Sequence, residues 1–437
     1  MSRHPPLICA SIVIQQVTRL FTHTFPYPFL INFDKEDKKG EGCMDRTNNP
    51  YTPNAGSAPP HLAGRGIELD DFRIFLTRIK NGRTEKAMAA IGLRGVGKTV
   101  LLGEYERIAI DLGWVALSAE VSKDTPFGPQ LANLCRKALF QLSPRAKWTD
   151  RLRTAAAVVK SFSLTVQPDG ALTAGLDMEQ SHGIADSGHL TDDLADLFEY
   201  VGEAAREQGT GVVFLLDEIQ FLSKDELGAL IGAIHRAVQR KLPITFAGAG
   251  LPQLPGLAGE AKSYAERLFR YVAIEELSAD EAAEALVAPA TEEGIDYEPE
   301  AVALIVAYAE GYPYFIQEFG KAVWDVAEGP LVTLADAQDA RYLVEAELDE
   351  SFYKTRVQRS TKEELRYLRA MAELGPAEQK ASDVASKLGK TSEQIAPLRS
   401  RLINKGLLYT PRFGYAKFTV PQFDKFMRRF MRFDDPE

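Results

Sequence analysis

Eight consecutive residues, Gly92-Leu93-Arg94-Gly95-Val96-Gly97-Lys98-Thr99, have the types and spacing of a loop that holds phosphates. Glycines let backbone N–H groups wrap an anion, and the helix N-terminus that follows adds partial positive charge. Lys98 can reach the β- and γ-phosphates of a nucleoside triphosphate, and the Thr99 hydroxyl can hold Mg²⁺. Val100 continues the wrap into the helix. A second group of residues decides between binding and hydrolysis. Gly211-Val-Val-Phe-Leu-Leu216 is a wholly apolar run that ends in Asp217 and Glu218. Such a run fits a parallel strand covered on both faces, and its C-terminal end is where open α/β sheets place ligands. There Asp217 can meet the hydrated metal, and Glu218 can polarise a water as general base. A second carboxylate suits water activation better than capture of a substrate hydroxyl, so hydrolysis of ATP is favoured over kinase chemistry.

The elements that must position these residues are legible on either side. Lys86–Ile91 is a short apolar strand entering the glycine-rich turn, and Val100–Tyr105 leaves it with helical spacing. Trp114–Val121 reads as a second strand, Gln130–Leu142 and Leu194–Glu207 as helices, Lys224–Arg240 as another. Pro243–Gly250 and Tyr271–Leu277 read as fourth and fifth strands. Strands alternating with helices predict a parallel three-layer α/β core. Residues 144–192 interrupt this order, and within them Phe162–Gln167 and Ala171–Leu176 alternate around Pro168-Asp169-Gly170, predicting a hairpin. From Ser278, where Ser278-Ala-Asp-Glu281 has capping-box spacing, the pattern is wholly helical to about residue 350.

The last part, from Thr355, reads as three helices and a strand pair: Ser360–Leu374, Ala381–Leu388, a third helix capped at Thr391, and Leu407–Thr410 with Lys417–Val420 around Pro411–Tyr415. Pro397 falls inside the third helix unless that helix starts near Gln394, which would put it in the first turn. Helix, helix, helix, wing resembles a winged helix-turn-helix. If it reads DNA, Arg399 and Arg401 enter the major groove, Arg412 and Lys417 meet phosphates from the wing, and Lys405, Arg428 and Arg429 add backbone contacts. Charge supports a polyanion at this end. Residues 351–437 carry 18 Lys and Arg against 10 Asp and Glu, a net of +8, whereas the other 350 residues carry 33 against 51, a net of −18.

Taken together, the phosphate loop, the Asp-Glu strand and the helical lid resemble an AAA+ ATPase, in the branch similar to origin-recognition-complex ATPases, with features of STAND signalling ATPases. The resemblance runs from Leu62 to the C-terminus. It implies a P-loop NTPase core over 62–277, a lid over 278–350 and a winged helix over 355–437. It implies ATP and Mg²⁺ as cofactors and a homo-oligomer. Gly64-Arg65-x-x-Glu68-Leu69 is similar to the segment that contacts the base in such proteins, which makes Arg65 a nucleotide-binding candidate. Arg267, before the fifth strand, stands where the family places an arginine finger for a neighbouring subunit, with Arg270 the weaker candidate. Two departures stand out. The fourth strand offers no polar residue at its end to sense the γ-phosphate, and Gly311-Tyr-Pro313 in the lid brings no sensor arginine and resembles the STAND lid motif, with Pro313 in a first turn. The expectation is a slow, switch-like ATPase coupled to DNA by its winged helix. A signalling ATPase whose winged helix binds protein is the alternative, and a helper ATPase for DNA transposition or segregation a third.

Composition bounds the rest. The chain has 437 residues, 45% of them hydrophobic and 26% charged, ordinary for a globular protein. Three cysteines, Cys9, Cys43 and Cys135, are too few for a disulfide framework or zinc site. No run reaches membrane-span length, and a cytoplasmic location is expected. Residues 1–61 read as a disordered extension and linker, with Met44 a candidate true start.

Overall fold

The computed structural model describes residues 44–54 and 56–431. Cys9, Cys43, the apolar Leu7–Ile14 and the charged run before Met44 lie outside the described residues. Helix α1 (Gly66–Lys80) precedes strand β1 (Ala87–Ile91), which feeds helix α2 (Lys98–Asp111) and strand β2 (Val115–Glu120). Helices α3 (Phe127–Leu142), α4 (Asp150–Val166) and α5 (Leu190–Glu207) follow, then β3 (Val212–Asp217), α6 (Lys224–Gln239) and β4 (Ile244–Gly250). Short helices α7 (Leu254–Ala261) and α8 (Ala265–Leu268) lead to β5 (Phe269–Ala273). The five strands are parallel, in the order β2-β3-β4-β1-β5. β3 and β4 are buried almost throughout, as continuous apolar runs between two helical layers require. The sheet therefore brings the C-terminal ends of β1 and β3 to one edge, which is the three-layer α/β arrangement expected.

Two expectations in the core are corrected. Phe162–Gln167 is the end of a helix, α4, and Ala171–Thr173 is a single 3₁₀ turn, so the hairpin is absent there. Leu152, Ala155, Ala156, Val159 and Phe162 are buried at helical spacing, and Thr149 caps the start by accepting from the Leu152 N–H. The apolar-polar alternation of Phe162–Gln167 falls at the end of a helix rather than in a strand. The fifth strand starts two residues earlier than expected, because pairing begins with Ala87 opposite Phe269. It ends once Ile274 has made its last bond to the Ile91 carbonyl (2.7 Å).

The lid comprises α9 (Ala279–Glu292), α10 (Pro299–Ala309), α11 (Pro313–Val326) and α12 (Leu334–Glu347). The Ser278–Glu281 capping box is present, and Pro313 occupies the first turn of α11. The lid is not wholly helical, since β6 (Asp296–Tyr297) pairs in parallel with β7 (Leu331–Val332). α12 continues without interruption through a π-helical stretch, Leu348–Lys354, into α13 (Thr355–Val357).

Residues 44–54 pack on this lid rather than forming a free linker. Tyr51 is 3% exposed, its hydroxyl bonds to the Leu286 carbonyl, and Trp324 Nε1 donates to the Asp45 carbonyl at 3.1 Å. A Pro/Gly/Asn-rich composition carries no periodicity, so sequence pattern alone cannot register an anchor of this kind.

The C-terminal module holds α14 (Lys362–Leu374), β8 (Gln379–Lys380), α15 (Ala381–Lys387), α16 (Ser392–Asn404), β9 (Leu408–Tyr409), β10 (Tyr415–Phe418) and α17 (Phe423–Phe430). Its antiparallel sheet has the order β8-β10-β9. α16 begins at Ser392 because Thr391 and Gln394 form a reciprocal cap, so Pro397 lies inside the helix, contrary to the later start considered above. It is exposed, so its missing N–H and displaced turn face solvent. β8 and α17 were not anticipated. Among the described residues no helix is long and apolar enough to cross a membrane.

Candidate functional site

β1 delivers the chain to the sheet edge, and Gly95 (φ 86°) and Gly97 (φ 92°) turn it through the left-handed region into α2. α2 opens at Lys98, so the N–H groups of its first turn have no partner within the helix and point toward the loop. Lys98 is 7% exposed, and its ammonium donates to the carbonyls of Gly92 (3.0 Å) and Leu93 (2.7 Å). Burial pulls its pKa down to about 8, partly offset by Glu218 and Asp217. Thr99 Oγ1 donates to Asp217 Oδ2 at 2.5 Å. The hydroxyl and carboxylate expected to share a metal are thus already together.

Glu218 follows in a left-handed turn (φ 54°), uncommon for a residue with a Cβ. Its N–H donates to Asp217 Oδ1 at 2.7 Å. Its carboxylate is held from two sides, by the Gln220 amide and by Arg94 Nη1 at 3.8 Å. Gln220, 8% exposed, also accepts from the Leu251 N–H at 3.1 Å, just past the end of β4. A Cβ on Gly250 would lie 2.8 Å from Gln220 Oε1. The space at the end of the fourth strand, where no polar side chain is offered by β4 itself, is filled by this amide from the 3₁₀ turn (Ile219–Phe221) that follows β3. Sequence reasoning passed over Gln220. The glycines ending β4, which leave room beside an acidic pair, were the signal available.

Arg94, Arg65, Gly95, Val96, Gly97, Lys98, Thr99, Val100, Asp217 and Glu218 all line one cavity of about 570 Å³. Gly92 and Leu93 stand behind it with their carbonyls on Lys98. Arg65 is 7% exposed, and its guanidinium donates to the carbonyls of Gly64, Val96 (3.2 Å) and Glu275 (2.8 Å). It braces the loop against the end of β5, with its donors directed at backbone rather than held free for a base. Residues missed by the sequence reading also line the cavity, among them Glu120 at the end of β2, Thr52, Asn54, Ser57 and His61 of the leader, and Ser351, Phe352 and Arg356 beyond α12. Arg267 is exposed on α8 and does not line the cavity. Arg270 pairs with Asp71.

The C-terminal module touches the loop itself. The Arg94 N–H donates to the Thr419 carbonyl at 3.0 Å, and Lys123 Nζ donates to the Asn404 carbonyl at 2.5 Å. Gln422 reaches the Tyr308 carbonyl of the lid at 2.6 Å. The basic residues expected to face DNA are mostly engaged within the module. Arg399 Nη2 donates to Tyr415 O (2.8 Å) and Thr410 Oγ1 (3.3 Å). Arg401 (3.1 Å) and Lys405 (2.6 Å) both bond the buried Glu364. Burial alone would raise the Glu364 pKa, but hydrogen bonds from Lys405, the Thr361 backbone and Arg401 outweigh it and hold it at about 2. Arg412 pairs with Glu378 and stacks on Tyr415 (3.8 Å), while Arg428 pairs with Asp424 and Arg429 with Asp349. Lys417 is half-buried on β10.

Residues 61–247 match a family model described as AAA ATPase domain, and residues 350–427 match a domain of unknown function. No curated protein matches the sequence significantly. Among solved structures, the chain is similar to the Aeropyrum pernix ORC2 protein in its ADP form (15% identity, 88% of this chain and 98% of that one, TM-score 0.46). It is also similar to the Aeropyrum pernix ORC1 protein in complex with DNA (16%, 85% and 96%, 0.44) and to the Thermotoga maritima RuvB Holliday junction branch migration motor (16%, 84% and 95%, 0.39). Likeness at this level lies in broad arrangement and assigns no activity.

Proposed function

We propose that the protein, whose residues 61–247 match the AAA ATPase domain model, binds ATP and hydrolyses it as a slow switch that sets the position of its C-terminal module. The observation that carries this reading is the convergence of Lys98, Thr99, Asp217 and Glu218 on a cavity whose loop also bonds the module through Arg94 and Thr419. Lys98 supplies a cation for the β- and γ-phosphates. Thr99 and Asp217 are the pair that would hold Mg²⁺, which when bound neutralises charge developing on the phosphates. Glu218 accepts a proton from water as the water oxygen bonds the γ-phosphorus. The bond from that phosphorus to the β–γ bridging oxygen breaks, leaving ADP and phosphate. Arg94 competes in this scheme. A terminal phosphate draws its guanidinium from Glu218 and frees the carboxylate to act as base. The test is nucleotide binding and phosphate release by the full chain and by Glu218→Gln. A variant that binds but does not turn over supports the assignment, and unchanged turnover refutes it.

We further propose that the module is a winged helix. DNA is one candidate partner, supported by the net +8 of residues 351–437. Contact with protein is favoured by a specific observation: Arg399, Arg401 and Lys405 are all bonded inside the module. A mobility shift of the full chain across a salt series separates the two, because phosphate contacts weaken steeply with salt. Absence of any shift at low salt leaves the protein partner.

A further inference from the structure

The lid helix α12 does not stop at the nucleotide cavity. It runs through the π-helical stretch Leu348–Lys354 into α13, and π-turns inside helices frequently mark functional positions because they shift the phase of the side chains. Here Ser351, Phe352 and Arg356 line the same cavity as the phosphate loop. Arg356 lies with its guanidinium 4.0 Å from the Phe352 ring centre, and Nη1 donates to the Phe352 carbonyl. Phe352 is stacked in turn on Tyr314, 4.9 Å between ring centres, which fixes the platform on which the guanidinium rests.

These partners are neutral. Among the described residues no carboxylate forms an ion pair with Arg356, and the charged side chain acting on it is another cation, Arg94. Burial and Arg94 together lower its pKa to about 10, so it stays charged at neutral pH. A half-buried cation on an aromatic shelf, beside a second cation and without a counter-ion, is costly unless an anion joins it. Arg94 is also the residue that approaches Glu218. Arg94 thus links Arg356 to the carboxylate proposed as the base, within one cavity.

We propose that Arg356 is a ligand for the terminal phosphate of the bound nucleoside triphosphate, so that the joint between lid and C-terminal module senses whether that phosphate is present. This rests on the ATPase reading above. It follows that ATP and ADP differ in their hold on the segment leading into the module, through one guanidinium.

The test is fluorescence anisotropy of the full chain with Mg²⁺ and either a non-hydrolysable fluorescent ATP analogue or fluorescent ADP. Arg356→Ala should weaken the ATP analogue by about 10- to 100-fold, the size of a charge-assisted hydrogen bond, and ADP by less than about threefold. Arg356→Lys should recover part of the difference. Arg356→Gln keeps a planar polar group over Phe352 and serves if the alanine variant does not fold. If the wild type binds the analogue and Arg356→Gln binds it equally well, or loses both nucleotides equally, the proposal falls while the ATPase reading stands. Failure of the wild type to bind either nucleotide removes the ATPase reading itself.

Discussion

Thr99 and Asp217, 118 positions apart in sequence, are joined by a 2.5 Å hydrogen bond from the threonine hydroxyl to the aspartate carboxylate. The bond exists because β1 and β3 end at the same edge of one parallel sheet, on either side of β4. Asp217→Ala should leave folding intact, since the bond lies at the exposed end of the sheet. It should remove the Mg²⁺ requirement together with turnover, measured as phosphate release against Mg²⁺ concentration. Retention of Mg²⁺-dependent turnover would show that the metal sits elsewhere.

Gln220 and Gly250 make a paired prediction. Gly250→Ala places a methyl 2.8 Å from the Gln220 amide oxygen and should displace the clamp on Glu218. Turnover should drop by about tenfold or more while ATP affinity stays within about threefold, the pattern of an interaction made chiefly in the transition state. Gln220→Leu should give the same split. Equal changes in affinity and turnover would mean that the amide serves packing alone.

Lys98 carries a pH signature with two opposite signs. Its folded pKa of about 8 lies below its ordinary 10.5, so the unfolded chain holds more protons between those values, and stability of the unliganded protein should rise from pH 8 to pH 10. Nucleotide affinity needs the charged ammonium and should fall over the same interval. Thermal melts and binding titrations at pH 7, 8 and 9 check both. Lys98→Ala should abolish binding at every pH.

Glu364 titrates the other way. Its carboxyl is held at about 2 rather than its ordinary 4.5, so its contribution is complete above that ordinary value and is lost as pH falls toward 2. Glu364→Gln should lower the melting temperature of the full chain. By releasing Arg401 and Lys405 it should also strengthen any binding to DNA, whereas a module that meets protein should show no gain in a mobility shift.

Arg267 is proposed as a cation offered to a neighbouring subunit, because it is exposed on α8 and outside its own chain's cavity. Arg267→Ala should keep ATP affinity and lower turnover by about a thousandfold. Mixing it with Glu218→Gln should restore part of the activity, since a mixed interface can pair an intact Glu218 with an intact Arg267. Activity that is independent of protein concentration, with no rescue on mixing, would make Arg267 an ordinary surface residue.

Residues that carry their chemistry in a short motif with a fixed context were the legible ones. Gly92–Thr99 and Asp217-Glu218 could be placed because strand, turn and helix each leave a local mark in sequence. The α4 error arose where a short apolar alternation at a helix end mimicked a strand. Gln220 and Arg356 reach the cavity through which strand lies beside which and through where the continuous lid helix passes, and no local pattern encodes either. The basic residues of the module failed differently. Their types were read correctly, but Glu364 and Glu378, which occupy Arg401, Lys405 and Arg412, come from elsewhere in the module.

Sequence similarity to the ATPase domain begins at residue 61, and a chain cut there to isolate the catalytic part would still contain every motif named above. It would also open a hole in the lid. The Tyr51 ring lies so close to Gly320 that a Cβ there would meet it at 2.5 Å, and its hydroxyl reaches the Leu286 carbonyl of α9 and the Tyr297 hydroxyl at 2.9 Å. Losing a buried aromatic of this size costs about 3 kcal/mol or more, and the same cut strips one wall from the nucleotide cavity. The smallest unit that can be dissected with its chemistry intact therefore starts upstream of the homologous domain, in the segment that composition marks as dispensable.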